Sequence, residues 1–80
     1  MNDPWKVGQL VRSERPMPLW KLHQQIYHDK DMSGHLLPDE VGLVVETRNV
    51  IDEGPPDWIC VLSSGGVVGW NRPWNFVVIS

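Results

Sequence analysis

Cysteine, cations and long apolar runs are all scarce in this sequence. Cys60 is the single cysteine, so no intrachain disulfide can form and no paired cysteines can hold a structural zinc. Lysine and arginine together number only seven. No apolar run approaches the length of a membrane span, and the N-terminal segment MNDPWK lacks the apolar core of a signal peptide. These absences predict a soluble domain that does not contact a membrane.

The few cations are also unevenly distributed. Residues 1–28 hold four basic and two acidic side chains, residues 29–57 hold eight acidic and two basic ones, and residues 58–80 add Arg72 alone. The acidic middle argues against nucleic-acid binding, because each phosphate contact needs a cation. A local basic patch stays open as an alternative, and it would use Lys6, Arg12, Arg15, Lys21 and Arg72.

Tryptophan, in contrast, is abundant, with five copies in 80 residues. A chain of this length forms one domain, here residues 1–80, and buries only roughly 60% of its unfolded surface. Each tryptophan can bury about 150–250 Å², so aromatic burial is an economical source of stability. Self-association or a bound partner is the other source that the composition leaves open.

Short apolar segments separated by turn residues predict an all-β fold. The segments cover residues 6–12, 41–48, 58–62, 67–70 and 76–79. The clearest is the hairpin in which Ser63-Ser64-Gly65-Gly66 joins the third strand to the fourth, because glycine tolerates the positive φ of a tight turn. The third strand, 58–62, is apolar on both faces, so we expect it to be central.

The segment between the first two strands, about residues 13–40, reads as a long loop. Pro16 and Pro18 hold the chain extended, and the spacing of Leu19, Leu22 and Ile26 then allows one or two helical turns. Five short strands, a long first loop, a tight hairpin and a turn at 71–74 before the last strand together predict a five-stranded SH3-like barrel. Closure would hide the edges of this small sheet.

The segments KVGQLVR, VGLVVE and WICVLSSGGVVGWNRPWNFVVI resemble the small SH3-like barrel proteins of tailed bacteriophages, especially marine and cyanobacterial ones. A weaker likeness links the same entry strand and long first loop to SH3-like accessory subunits of photosynthetic electron-transfer complexes. The phage resemblance implies a five-stranded barrel without enzymatic activity, located in a virion or in the host cytoplasm. The segment from about Ser13 to Glu40 is longer than in that family.

The aromatic residues are the candidates for a partner-binding surface. Trp20, Tyr27, Trp70 and Trp74 could line a groove for an extended, proline-rich or otherwise apolar peptide. The competing interpretation is that the tryptophans fill a small core, and Trp58 and Trp70 fit it best. We therefore expect Trp20 and Trp74 to contact the partner, which is another protein or a second copy of this chain.

The segment from Asp29 to Glu40 fits the pattern of a calcium loop. Oxygen ligands would come from Asp29, Asp31, Ser33 and Glu40, with Gly34 at the sharp turn. The strand expected after Glu40 counts against an EF-hand, which needs a helix there. A solvated acidic turn is the alternative, and no other cofactor is indicated.

No catalytic motif is recognisable. Cys60 lies mid-strand between Ile59 and Val61, where a small buried side chain is expected rather than a nucleophile. The sequence therefore predicts a non-enzymatic interaction or structural module, with a nucleic-acid-associated barrel or an accessory subunit of a larger complex as the alternatives.

Overall fold

The computed structural model describes residues 5–21, 31–49 and 57–79. These residues form one antiparallel sheet of seven strands, with a 3-10 turn before the last strand. The strands are β1 (Leu10–Arg12), β2 (Met17–Trp20), β3 (Met32–Leu36), β4 (Gly42–Arg48), β5 (Trp58–Ser63), β6 (Val68–Asn71) and β7 (Val77–Val78), and the 3-10 turn spans Pro73–Asn75. Their order in the sheet is β3-β2-β6-β5-β4-β1-β7.

The all-β prediction is confirmed, and so is the central place of β5. The strands β2 and β3 were not predicted. They pair as a hairpin inside the segment that was interpreted as a loop. The sheet ends at β3 and β7, which do not pair with each other in the described ranges, so the sheet is not closed there. The β2–β3 hairpin lies beside β6 instead and covers the edge that β6 would otherwise leave open.

Strand β2 shows why the helical interpretation of residues 19–28 was wrong at its start. Met17 and Leu19 are buried while Pro18 and Trp20 are half-buried, which is the two-residue period of a strand. The extended backbone that Pro16 and Pro18 favour continues through Trp20. Residues 22–28, which include the rest of the predicted helical turns, lie outside the described residues.

The main core lies on one face of the sheet. Val11, Leu19, Val44, Ile59 and Val61 are fully buried there. Met17, Leu36 and Phe76 complete this cluster, against which Trp5, Val67 and Val78 pack from its margin.

The β5–β6 hairpin is built as predicted. Gly66 takes a φ of +93°, and its N–H donates to the Ser63 carbonyl at 2.9 Å. The buried Ser63 hydroxyl accepts a further bond from the Val67 N–H at 3.0 Å. Side-chain and backbone bonds together fix the register of the two strands.

A β-bulge at Val45 interrupts strand β4. Val44 pairs with Val61 and Glu46 pairs with Cys60, so one extra residue is inserted between them. Plain alternation places Val44 and Glu46 on the same face. The bulge instead sends Val44 into the core and Glu46 to the opposite face.

Candidate functional site

A surface groove lies between the β1–β2 connection and the 3-10 turn. Its volume is about 210 Å³. The connection contributes Glu14, Arg15 and Met17, and the other wall consists of Trp74, Asn75, Phe76 and Val77. We call this the Trp74 groove. It has a partly apolar floor, since Met17 and Phe76 are buried, and a charged rim at Glu14 and Arg15.

The 3-10 turn holds Trp74 outward. Pro73 occupies the first position of the turn and is buried, and Phe76 is buried immediately after the turn. The Phe76 N–H donates to the Pro73 carbonyl at 3.0 Å. With both flanking residues anchored in the protein, Trp74 projects from the turn and remains 70% exposed.

Asn71 ties this turn to strand β2, and the sequence reading did not single it out. Its amide nitrogen donates to the Pro18 carbonyl at 2.6 Å. Its amide oxygen accepts from the Arg72 N–H at 2.6 Å and from the Asn75 side chain at 2.9 Å. Asn71 is only 5% exposed, so these bonds are shielded from water and position the turn that carries Trp74.

Arg72 links two of the tryptophans. Its guanidinium carbon lies 3.8 Å from the centre of the Trp58 ring and 5.6 Å from that of Trp74. One of its nitrogens also donates to the Asp57 carbonyl at 3.2 Å. This stacked cation covers Trp58 and limits where the Trp74 ring can move.

Three tryptophans lie on the sheet face opposite the core, where two of them form a second cluster. Trp58, Cys60 and Trp70 are buried together, and Trp20 is the register partner of Trp70 on the neighbouring strand. The Arg48 guanidinium carbon lies 6.0 Å from the Trp70 ring centre. The structure therefore brings Trp20 and Trp70 together, while Trp74 lines the groove.

Among the residues predicted to bind a partner, the three tryptophans differ in their exposure. Trp74 offers a large surface, Trp20 is half-buried, and Trp70 is 8% exposed. Tyr27 lies outside the described residues. The sequence reading also missed Phe76 as a groove residue, because a single Phe in a C-terminal strand has no signal that separates a groove from a core.

Cys60 is buried, as predicted. Burial, followed by the negative charge of Glu46, raises the pKa of the Cys60 thiol from 9.0 to about 11. A thiol with a raised pKa is protonated at neutral pH and is a poor nucleophile.

The described part of the proposed calcium loop is extended rather than curled. Ser33 and Gly34 lie within strand β3. The Glu40 carboxylate accepts the Leu37 N–H at 2.9 Å and thereby closes the turn between β3 and β4. Asp29 lies outside the described residues, and no group of three potential metal-ligating side chains occurs among those described. The described geometry adds no support to the calcium hypothesis.

The cations of the nucleic-acid alternative differ in their exposure to solvent. Lys6, Arg12, Arg15 and Lys21 are exposed, whereas Arg72 is half-buried on the Trp58 ring. Arg15 alone lines the Trp74 groove, beside Glu14.

Comparison with known proteins yields one curated similarity. No family model and no solved structure matches the chain. The chain is 36% identical over 76 residues to pheromone-regulated membrane protein 10 of the yeast Zygosaccharomyces rouxii. That match covers 85% of the chain, and the chain spans about 7% of the length of the yeast protein.

This similarity corrects the expected location. The expectation of a virion or host cytoplasm came from the phage resemblance, and the similar protein is instead a membrane protein of a yeast. None of the helical structure in residues 5–21, 31–49 and 57–79 is both long and apolar enough to cross a membrane.

Proposed function

We propose that this protein is a non-enzymatic interaction module with an SH3-like barrel fold, and that the Trp74 groove binds an extended segment of a partner protein. The fold proposal is supported by the strand order β7-β1-β4-β5-β6, which joins the five predicted strands as antiparallel neighbours. The 3-10 turn before the last strand and the insertion between the first two agree with it.

The observation that carries the binding proposal is the exposure of Trp74. A tryptophan that is 70% exposed leaves a large apolar surface in water, yet its turn is firmly anchored by Pro73 and Asn71. Tryptophan is one of the side chains that contribute most to protein interfaces. Anchoring reduces the entropy lost on binding, because the backbone that carries the ring is already ordered.

The exposed Trp74 ring favours a peptide with apolar side chains as the ligand, although the rest of the accessible groove lining is mostly polar. Proline-rich segments suit such a site, because their polyproline II conformation is already ordered and their side chains pack against aromatic rings. The rim adds a negative charge at Glu14 and a positive charge at Arg15. A bound segment would therefore be oriented by its own charged residues, while Trp74 provides the apolar contact.

The absence of activity is part of the same proposal. The one cysteine is held protonated by burial and by Glu46, which is the opposite of how a nucleophilic thiol is prepared.

The test is a binding measurement with a matched pair of variants. Fluorescein-labelled dodecapeptides, half proline-rich and half apolar without proline, would be titrated with the wild type, Trp74→Ala and Leu37→Ala. Leu37 is 44% exposed in the β3–β4 turn and does not line the groove. Leu37→Ala therefore shows whether removing an exposed apolar side chain elsewhere also weakens peptide binding. We expect Trp74→Ala to raise the Kd of a binding peptide roughly 30-fold, about 2 kcal/mol for a central tryptophan, and Leu37→Ala to leave it unchanged.

Two results would contradict the proposal. One is that no peptide binds the wild type, or that binding survives Trp74→Ala. The other is that a single-stranded 12-nucleotide DNA binds more tightly than any peptide and loses affinity steeply with salt, which favours the nucleic-acid alternative.

A further inference from the structure

Five aliphatic side chains form a continuous row across the sheet face opposite the main core. Leu10 is the register partner of Leu43, Leu43 of Leu62, and Leu62 of Val68. Ile79 extends the row beyond β1, since its N–H donates to the Leu10 carbonyl at 2.8 Å. The row therefore crosses β1, β4, β5 and β6 at right angles to the strands.

The neighbours of this row along each strand point the other way. Val11, Val44 and Val61 each follow or precede a row member and are fully buried in the core. Because successive side chains of a strand alternate between faces, the row must lie on the outer face. Leu10 and Leu62 are each 37% exposed, a fraction that is high for strand leucines beside a buried core.

Two valines extend the apolar surface into the next row on the same face. Val77 pairs with Arg12, and Val41 lies two residues before Leu43 on the same face. Val41 is 42% exposed and Val77 38% exposed. We define the outer aliphatic face by its seven apolar members, which are Leu10, Val41, Leu43, Leu62, Val68, Val77 and Ile79.

Most members of the outer aliphatic face are exposed to solvent. Six of its seven members expose more than a third of their surface. Together they form a patch on the order of a few hundred Å², the size at which an exposed apolar area commonly marks an interaction site. The surface is separate from the Trp74 groove, since of these residues only Val77 also lines that groove.

We infer that the outer aliphatic face is a homodimer interface, in which a second copy of this chain packs the same face against it across a two-fold axis. A face built from neighbouring strands suits sheet-on-sheet packing, with two sheets about 10 Å apart. A two-fold interface must be self-complementary, because one surface serves both partners.

Opposite charges lie on the two sides of the row. Arg12 lies on one side, and Glu46, which pairs with Cys60, lies on the other side on the adjacent strand, where its exposed carboxylate also accepts from Arg48 at 2.9 Å. A two-fold axis along the row brings the side that carries Arg12 in one copy over the side that carries Glu46 in the other. Row members then face their own copies, so apolar side chains meet apolar side chains.

The small size of the domain favours a second copy of the chain covering this face over leaving the face in contact with water. An 80-residue chain has a small core, and association is one of the few ways to bury more apolar area. A stable dimer needs about 800 Å² from each partner. The aliphatic face supplies the apolar centre of such an area, and the polar residues around it supply the rim.

The test compares two leucine variants in the full chain. Leu62→Lys places a charge in the centre of the row, while Leu37→Lys makes the same change at a leucine of similar exposure in the β3–β4 turn. Sedimentation equilibrium would be measured from micromolar to millimolar protein. We expect a wild-type dimer, an unchanged dimer for Leu37→Lys, and a dissociation constant raised at least about 100-fold for Leu62→Lys, because each dimer buries two unpaired ammonium groups.

Charge exchange tests the geometry. Arg12→Glu and Glu46→Arg should each weaken the dimer, and the double variant should recover most of the loss. A monomeric wild type at millimolar concentration overturns the inference, as does a Leu62→Lys protein that dimerises like the wild type. A wild type that stays monomeric and cosediments with phosphatidylcholine vesicles overturns it in favour of a lipid surface. Peptide binding at Trp74 is measured separately, so failure of the dimer leaves the proposed function standing.

Discussion

Replacing Gly69 with alanine tests how closely β2 packs against β6. A Cβ atom at Gly69 would lie 2.7 Å from the Leu19 Cβ and 2.8 Å from the Trp20 carbonyl oxygen. Part of this obstacle is backbone, so rotating a side chain cannot relieve it. Ordinary carbon contacts lie near 3.5–4.0 Å, which means that β2 must retreat by about 0.7 Å or more.

Moving β2 away from β6 would also weaken a hydrogen bond. The 2.6 Å bond from the Asn71 amide to the Pro18 carbonyl joins the two strands and lengthens if β2 moves. Overpacking alone costs roughly 1–3 kcal/mol, and a strained buried hydrogen bond adds about 1 kcal/mol. We therefore expect Gly69→Ala to lose about 3 kcal/mol of unfolding free energy. In a domain of this size that lowers the Tm by roughly 12–24 °C.

Urea unfolding followed by tryptophan fluorescence measures this loss. Gly66→Ala is the control, because nothing lies within 4 Å of its added Cβ and the cost comes only from a φ of +93°. That conformational cost is about 1–2 kcal/mol. If Gly69→Ala unfolds at the same urea concentration as the wild type, or costs less than Gly66→Ala, then the close approach of β2 and β6 is not as described.

Two further perturbations concern Asn71 and Cys60. Asn71→Ala should destabilise the fold by about 2 kcal/mol in urea unfolding, because it removes the donor to the carbonyl of the half-buried Pro18. Asn75→Ala should cost less than half as much, and equal losses would contradict this role of Asn71. Between about pH 9 and 11 the unfolded chain releases the Cys60 proton while the folded chain retains it, so stability should fall as pH rises through this window. Urea midpoints at pH 8 and pH 10 should show that fall in the wild type but not in Cys60→Ala, and an identical fall in both would assign it to another group.

The strands and turn of the second half could be predicted because their signals are local. In residues 57–79 the glycines of the turn lie between two dense apolar segments, a pattern that predicts a hairpin. β5 and β6 form that hairpin. Burial of Cys60 follows from its place within an apolar strand. Such features depend on residues only a few positions apart, so the sequence is enough to predict them.

The first half could not be predicted in the same way. The sequence spacing of Leu19, Leu22 and Ile26 is compatible with a helix, but Leu19 lies in a strand because β2 pairs with β3 and β6. The pairing of Trp20 with Trp70 joins residues fifty positions apart. Local propensity carries no information about such a partner, and the packing gained by the pair outweighs the weak helical preference.

The binding surfaces depend on the tertiary structure even more strongly. The sequence separated Trp58 and Trp70, which are buried, from Trp74, which is exposed, but packing decides that Arg72 covers Trp58 and that Trp20 is half-buried beside Trp70. The outer aliphatic face arises only when the register aligns residues from four strands in one row. The sequence by itself determined an all-β chain, its tight turn and its buried thiol, since these follow from alternation and turn chemistry. The sheet order, the bulge at Val45 and the exposed surfaces were decided by long-range pairing, because only pairing specifies which side chains become neighbours.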